Sequence, residues 1–139
     1  MEAKLEVDFN GNSITLDLIK DTKLEHDAAV EKINIASMYA YYGAIMAYNK
    51  RKVNNLDNDL KVKVTSLRAI CIQQLNDEEV RVSEAAIWTR TEGHEDYQDL
   101  SRELNAAKYI VDVLESAIWA LKIKADNIKV LLSVEKYTG

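Results

Sequence analysis

Residues 97–132 read YQDLSRELNAAKYIVDVLESAIWALKIKADNIKVLL, and eleven apolar side chains in them keep an unbroken alternation of three and four: Tyr97, Leu100, Leu104, Ala107, Val111, Leu114, Ile118, Leu121, Ala125, Ile128 and Leu132. In a chain that is 47% apolar, chance supplies such a run about once in four thousand registers, so the stretch is a helix with a single apolar seam. A helix from Tyr97 to Glu135 would be about 58 Å long at 1.5 Å per residue. That exceeds what the core of an ordinary 139-residue domain requires, so other helices, from this chain or from copies of it, must cover the seam.

Upstream of the seam, Glu92-Gly93-His94-Glu95-Asp96 forms a turn whose acids face the positive end of the last helix, predicted over 95–136. Ser83 to Trp88 opens a short helix over 83–92. Farther upstream Met38, Tyr42, Ile45, Leu56, Leu60, Val64, Leu67 and Cys71 keep helical spacing, interrupted at Asn49. The chain has no proline and only four glycines, so little stops a helix. One long helix over 22–75 is predicted, with Asp21 or Thr22 as its cap and Glu25 as the capping-box partner.

The first eighteen residues change period. Leu5, Val7 and Phe9 alternate, Asn10-Gly11 follows, and Ile14, Leu16 and Leu18 alternate again, which is the signature of a two-residue hairpin turn. That turn pairs Phe9 with Asn12, Val7 with Ile14, Leu5 with Leu16 and Ala3 with Leu18, and it collects the apolar side chains on one face. A lone hairpin is marginal in water and must pack on the helices or on a neighbouring subunit. The expected architecture is therefore mainly α, a single helical domain over 1–139: an N-terminal hairpin over 1–19 and two long antiparallel helices joined by a short one, assembling as an oligomer.

Composition narrows the function. The chain has no run of eighteen apolar residues and an acidic start (Glu2, Glu6, Asp8), which predict neither a membrane span nor a leader and place it in the cytoplasm. His26 and His94 lie far apart with no cysteine nearby, so no zinc site is expected. The four glycines are too scattered for a phosphate loop. Acids such as Glu78, Glu79, Asp96 and Asp99 at helix starts read as capping charges rather than as an acid and base pair. Neither a cofactor nor an enzymatic activity is expected, and the single Cys71 reads as a small buried hydrophobe.

What remains is charge pattern. The total is −5, but residues 23–75 carry eight basic and five acidic groups, whereas residues 76–103 carry three and nine. Lys50, Arg51, Lys52, Lys61, Lys63 and Arg68 form a basic stripe facing only Asp57 and Asp59 in that interval. Just before it come Tyr39, Tyr41, Tyr42 and Tyr48. Lysines neutralise phosphates and exposed aromatics stack on unpaired bases, so the combination suits single-stranded nucleic acid. The competing reading is a solvated basic face with tyrosines in the core, Tyr42 above all. The acidic stretch Asp77 to Asp99 is either a solvated turn or a surface for a protein partner.

Asp21-Thr22-Lys23-Leu24 followed by Glu25 and Asp27-Ala28-Ala29, then Leu60-Lys61-Val62-Lys63, then Leu114 to Leu131 with Ala120-Leu121-Lys122 and Ile128-Lys129, resemble the UvsY-like recombination mediators of T-even and related bacteriophages. The likeness is patchy and nearly collinear over about residues 17–137. The resemblance implies a non-catalytic homo-oligomer, ring-shaped in that family, that binds single-stranded DNA. It implies help in loading a RecA-like recombinase onto strands covered by single-strand-binding protein, in the host cytoplasm of a phage-infected cell. By position Lys61 and Lys63 would contact DNA, with Lys50, Arg51, Lys52 and Arg68 beside them. Leu114, Ile118, Leu121, Ile128 and Leu132 would carry self-association. The alternative is a helical adaptor or virion-assembly protein without DNA binding.

Overall fold

The computed structural model describes residues 4–24 and 28–138. The elements run β1 (Lys4–Phe9), β2 (Asn12–Asp17), α1 (Leu18–Thr22), α2 (Ala28–Asp77), α3 (Glu84–Glu92) and α4 (Glu95–Thr138). The fold is mainly helical with one small antiparallel hairpin, as the two periodicities predict.

The hairpin takes the register that its turn dictates: Phe9 opposite Asn12, Val7 opposite Ile14 and Leu5 opposite Leu16. Asn10 and Gly11 supply the two positive φ angles, 54° and 81°, that bring the strands back with the right twist. Of the expected fourth pair, Ala3 lies outside the described residues, and Leu18 leaves the ladder. It starts α1, a helix absent from the sequence reading. Asp17 caps it, its carboxylate accepting from the Lys20 N–H at 3.2 Å. The Thr22 hydroxyl, expected to open the long helix, instead donates back to the Leu18 carbonyl at 2.6 Å. The long helix α2 begins at Ala28, and the expected capping partner Glu25 lies outside the described residues.

Contacts divide the chain into two compact units, Met1–Lys50 with Tyr109–Gly139, and Arg51–Lys108. In the first, Leu5, Val7, Leu16 and Leu18 pack against Tyr42 and Ile45 of α2 and Leu114, Ala117 and Leu121 of α4. This is the apolar cover that a two-stranded ribbon needs. Asn49, which looks like a break in the helical pattern, instead bridges elements. Its amide donates to the Ile45 carbonyl at 2.9 Å within α2 and to the Asp8 carbonyl at 3.0 Å on the hairpin. Being 4% exposed, it satisfies both acceptors away from water.

In the second unit, Leu56 packs with Leu104 and Ala107, flanked by Val53 and Leu60. Cys71 and Leu75 pack with Ile87 of α3. Cys71 is buried and unpaired, with the Thr91 hydroxyl 3.7 Å from its sulfur. Ser83 caps α3 by accepting from the Ala86 N–H at 3.1 Å. The end of α2 turns through Glu79 at φ 57°, with the Val80 N–H reaching back to the Leu75 carbonyl at 3.0 Å. This is the left-handed helix ending that glycine usually supplies. In each unit the α2 and α4 segments run antiparallel: Glu31 meets Lys124 and Lys50 meets Glu115 in the first, and Leu56 meets Leu104 while Lys63 meets Asp96 in the second. Among the described residues no helix is long and apolar enough to cross a membrane.

Candidate nucleic-acid interface

All six basic candidates lie on α2, Lys50 in the first unit and the others in the second. Lys61 and Lys63 do not share a face. Two residues on a helix turn through about 200°, so Lys61 joins Arg68, seven residues on, along one flank. Lys63 joins Lys52, eleven residues back, along the other. What reads as one stripe in sequence is a pair of flanks, and the outer face between Lys61 and Lys63 carries Val62, 68% exposed.

Four of the six bases meet carboxylates of their own chain. Lys61 lies 3.1 Å from Asp57 one turn back, Lys63 3.8 Å from Asp96, and Lys50 3.4 Å from Glu115. Arg68 takes Glu84 with both arms of its guanidinium, one at 2.7 Å. That hydrogen-bonded pairing holds the Glu84 carboxyl below the ordinary carboxylate range and raises Arg68. Arg51 and Lys52 are exposed and make no ion pair among the described residues. The lysine pairs are exposed, with Lys61 at 72% and Lys50 at 50% of side-chain surface. Pairs of this kind contribute about 0–1 kcal/mol. A phosphate can therefore displace Asp57 or Asp96. The bidentate Arg68–Glu84 contact is geometrically the most committed.

The tyrosines divide as well. Tyr42 is fully buried and donates to Asp21 at 2.6 Å. Burial first, and the Asp21 hydrogen bond second, push its hydroxyl well above the ordinary phenol value. Tyr48 donates to Asp8 at 3.2 Å and packs edge-on against Phe9. Tyr39 and Tyr41 stay exposed at 37% and 45%, although Tyr41 meets the Phe9 ring edge-on. Two of the four rings are thus open to a stacking partner.

Set beside solved structures, the chain matches the bacteriophage T4 recombination mediator protein UvsY in two lattice types. One gives a TM-score of 0.75 at 16% identity, covering 88% of this chain and 93% of that one. The other gives 0.71 at 14% identity, covering 88% and 96%. The chain has the fold of UvsY. No family model matches it, and no curated protein matches its sequence.

On the UvsY fold the residues expected to drive assembly fall in two places. Leu114 and Leu121 have no exposed surface and Ile128 has 2%, so the chain's own first unit uses them. Ile118 and Leu132 are half-buried. The acidic stretch is also partly spent internally: Glu78 pairs with Arg90 at 2.8 Å through both oxygens, Glu84 with Arg68 and Asp96 with Lys63.

Periodicity alone does not reveal the most buried charged side chains among the described residues. Lys124 and Glu31, 6% and 5% exposed, meet at 2.6 Å, and Lys124 also donates to the Asp21 carbonyl at 3.1 Å. They line a cavity of about 130 Å³ with Lys20, Asn34, Ile35 and Met38. One signal was present: Lys124 stands three residues after Leu121 and four before Ile128, on the buried stripe itself.

Proposed function

We propose that this chain is a phage-type recombination mediator that binds single-stranded DNA without sequence preference as a homo-oligomer and assists the loading of a RecA-like recombinase onto strands covered by single-strand-binding protein. The observation that carries the reading is the UvsY fold, spanning nearly the whole of both chains, with exposed cations on α2 where the sequence resemblance puts the DNA-contacting pair. Lys61, Lys63, Arg51 and Lys52 hold phosphates, with Lys50 and Arg68 contributing once they leave Glu115 and Glu84. Tyr39 and Tyr41 are the rings available to bases. Repetition of weak contacts around an oligomer turns them into tight binding, and the unpaired acids between Asp77 and Asp99 face the protein partners.

The test is anisotropy of a labelled oligonucleotide at several salt concentrations. With between two and six cations engaged per subunit, log affinity should fall against log salt with a slope between about 1.4 and about 4.2 per subunit bound. Because Lys61 and Lys63 occupy different flanks, Lys61→Ala and Lys63→Ala measured separately identify the flank that carries the strand, and the double variant should bind more weakly than either. Absence of binding at low salt by the intact oligomer refutes the reading.

A second reading has its own support. Four of six bases already meet acids of the same chain, which supports a helical adaptor or virion-assembly protein in which the basic segment serves carboxylates, of this chain or of neighbouring subunits, and has no DNA role. An intact oligomer that leaves the oligonucleotide unbound at low salt would favour it.

A further inference from the structure

We propose that Arg68 and Glu84 form a latch on one flank of α2: while the first residue of α3 holds the guanidinium, that flank is masked, and a single strand takes it only by displacing the carboxylate with a phosphate. The inference rests on the strand-binding reading above and adds to that site a residue, Glu84, that limits its affinity.

Arg68 stands seven residues after Lys61, so the two share a flank of α2, and Asp57 lies on the same flank one turn before Lys61. Asp57 takes Lys61 at 3.1 Å. Glu84 takes both arms of Arg68, one at 2.7 Å. Two cations thus face two acids, and the flank is neutral as it stands. The two cations are not equal. A guanidinium grips phosphate as a planar fork, whereas an ammonium is a point charge, so masking Arg68 removes the better of the two phosphate ligands on this flank.

Glu84 is put in place by the packing of α3. Ser83 caps that helix, accepting from the Ala86 N–H at 3.1 Å, which makes Glu84 its first residue. The helix in turn is fastened to α2: Ile87 packs on Cys71 and Leu75, and Arg90 holds Glu78 through both nitrogens at 2.8 Å. The carboxylate is therefore presented at a fixed place beside Arg68, sixteen residues away in sequence, without the ordering cost that an acid on a free loop carries.

The same geometry lets the latch open. The Arg68 and Glu84 side chains are 43% and 80% exposed, so water or phosphate reaches both, and exposed pairs exchange at little cost. Once released, Glu84 still lies at the positive end of α3, where a carboxylate is favoured. The helix stays docked through Ile87 and the Glu78–Arg90 pair. Opening is then a rotation of side chains that leaves no buried partner unsatisfied. A phosphate competes directly, because it too accepts both arms of the guanidinium. A strand held at the same time by Lys61 brings its next phosphate to Arg68 at high effective concentration.

Anisotropy of a labelled oligonucleotide, run as a double-mutant cycle, tests the latch, with circular dichroism to confirm folding. Glu84→Gln removes the competing charge and should bind the oligonucleotide severalfold tighter than the wild type. Glu92→Gln removes the same charge from the other end of α3, where an exposed carboxylate makes no ion pair among the described residues, and should tighten binding less. Arg68→Ala should weaken binding more in the Glu84→Gln background than in the wild type, since only there is the guanidinium free from the start. A Glu84→Gln gain no larger than that of Glu92→Gln, or one that persists in full alongside Arg68→Ala, overturns the latch while leaving strand binding intact. Absence of low-salt binding by the wild-type chain and by every variant overturns the strand-binding reading on which the latch rests.

Discussion

Removing the charge of Lys124 while keeping its length, as Lys124→Met, isolates what the buried pair contributes. The ammonium lies 2.6 Å from Glu31 and 3.1 Å from the Asp21 carbonyl, and both side chains have about a twentieth of their surface in water. The substitution strands a buried carboxylate without its cation and removes the donor to Asp21. Breaking one side of a buried pair costs about 3–5 kcal/mol, a large part of the roughly 5–15 kcal/mol that holds a domain together. With a urea slope near 2 kcal/mol per molar, the unfolding midpoint should move down by about 2 M. The double variant Lys124→Met/Glu31→Leu removes both charges, and replacing a whole buried pair by apolar groups is often neutral or stabilising. It should therefore recover most of the loss. Urea unfolding followed by circular dichroism, run as a double-mutant cycle, measures both. A single substitution costing under about 1 kcal/mol, or a double variant as unstable as the sum of the singles, would show that the two groups do not depend on each other.

Three further outcomes can be checked. Glu79 holds a left-handed backbone at φ 57°, so Glu79→Gly should raise stability by about 1 kcal/mol in the same urea assay. Folding lifts the Tyr42 hydroxyl above its unfolded value near 10, so that contribution is fully present below about pH 10 and fades as pH rises toward the folded value. In an ultraviolet difference titration of the native chain, Tyr42 should stay protonated above the pH at which a free phenol ionises. Hydrogen bonding to Arg90 and Arg68 lowers Glu78 and Glu84, so their contribution is present above the unfolded carboxylate range near pH 4.3 and is lost as pH falls through the folded values. Amide protection, corrected for the intrinsic exchange rate at each pH, should fall across α3 in acid before it falls across the hairpin.

The hairpin and the two long helices were legible because burial on one side forces a period on the sequence, two for Leu5, Val7, Ile14 and Leu16 and 3.6 for the seam of α4. Asn10-Gly11 even specified the register. The separate helix α1 was not legible, since Asp21 and Thr22 both suit the start of the long helix and only the side-chain contacts give a capping role to Asp17. The seam itself slips slightly from its spacing. Ala117, rather than Ile118, is fully buried, and Lys124 rather than Ala125 takes the next inward position. A lysine there reads as surface because its partner, Glu31, stands on another helix far away in sequence. The candidate site was legible as a list of cations, and helical spacing alone already puts Lys61 and Lys63 on different flanks, but the contacts were not, because spacing along a chain does not reveal Asp96 beside Lys63 or Glu84 beside Arg68.

The two units use charge in opposite ways. In the first, Lys124, Glu31, Tyr42 and Asn49 are all under 10% exposed, and each fixes the N-terminal segment or the pair of long helices by a contact that water cannot replace. Such groups set the fold and are poor candidates for an exchangeable ligand, because freeing any one of them leaves its partner buried and unsatisfied. In the second, the pairs of Lys61 and Lys63 are at least 39% exposed at the lysine, where water or phosphate takes over from the carboxylate at little cost. The proposed mediator role calls for contacts of this second kind, weak singly and numerous together. For that proposed role the chain's net negative charge is no obstacle: Asp57 and Asp96 pair with the lysines only weakly and would give way to a more highly charged partner, and added salt weakens both contacts together.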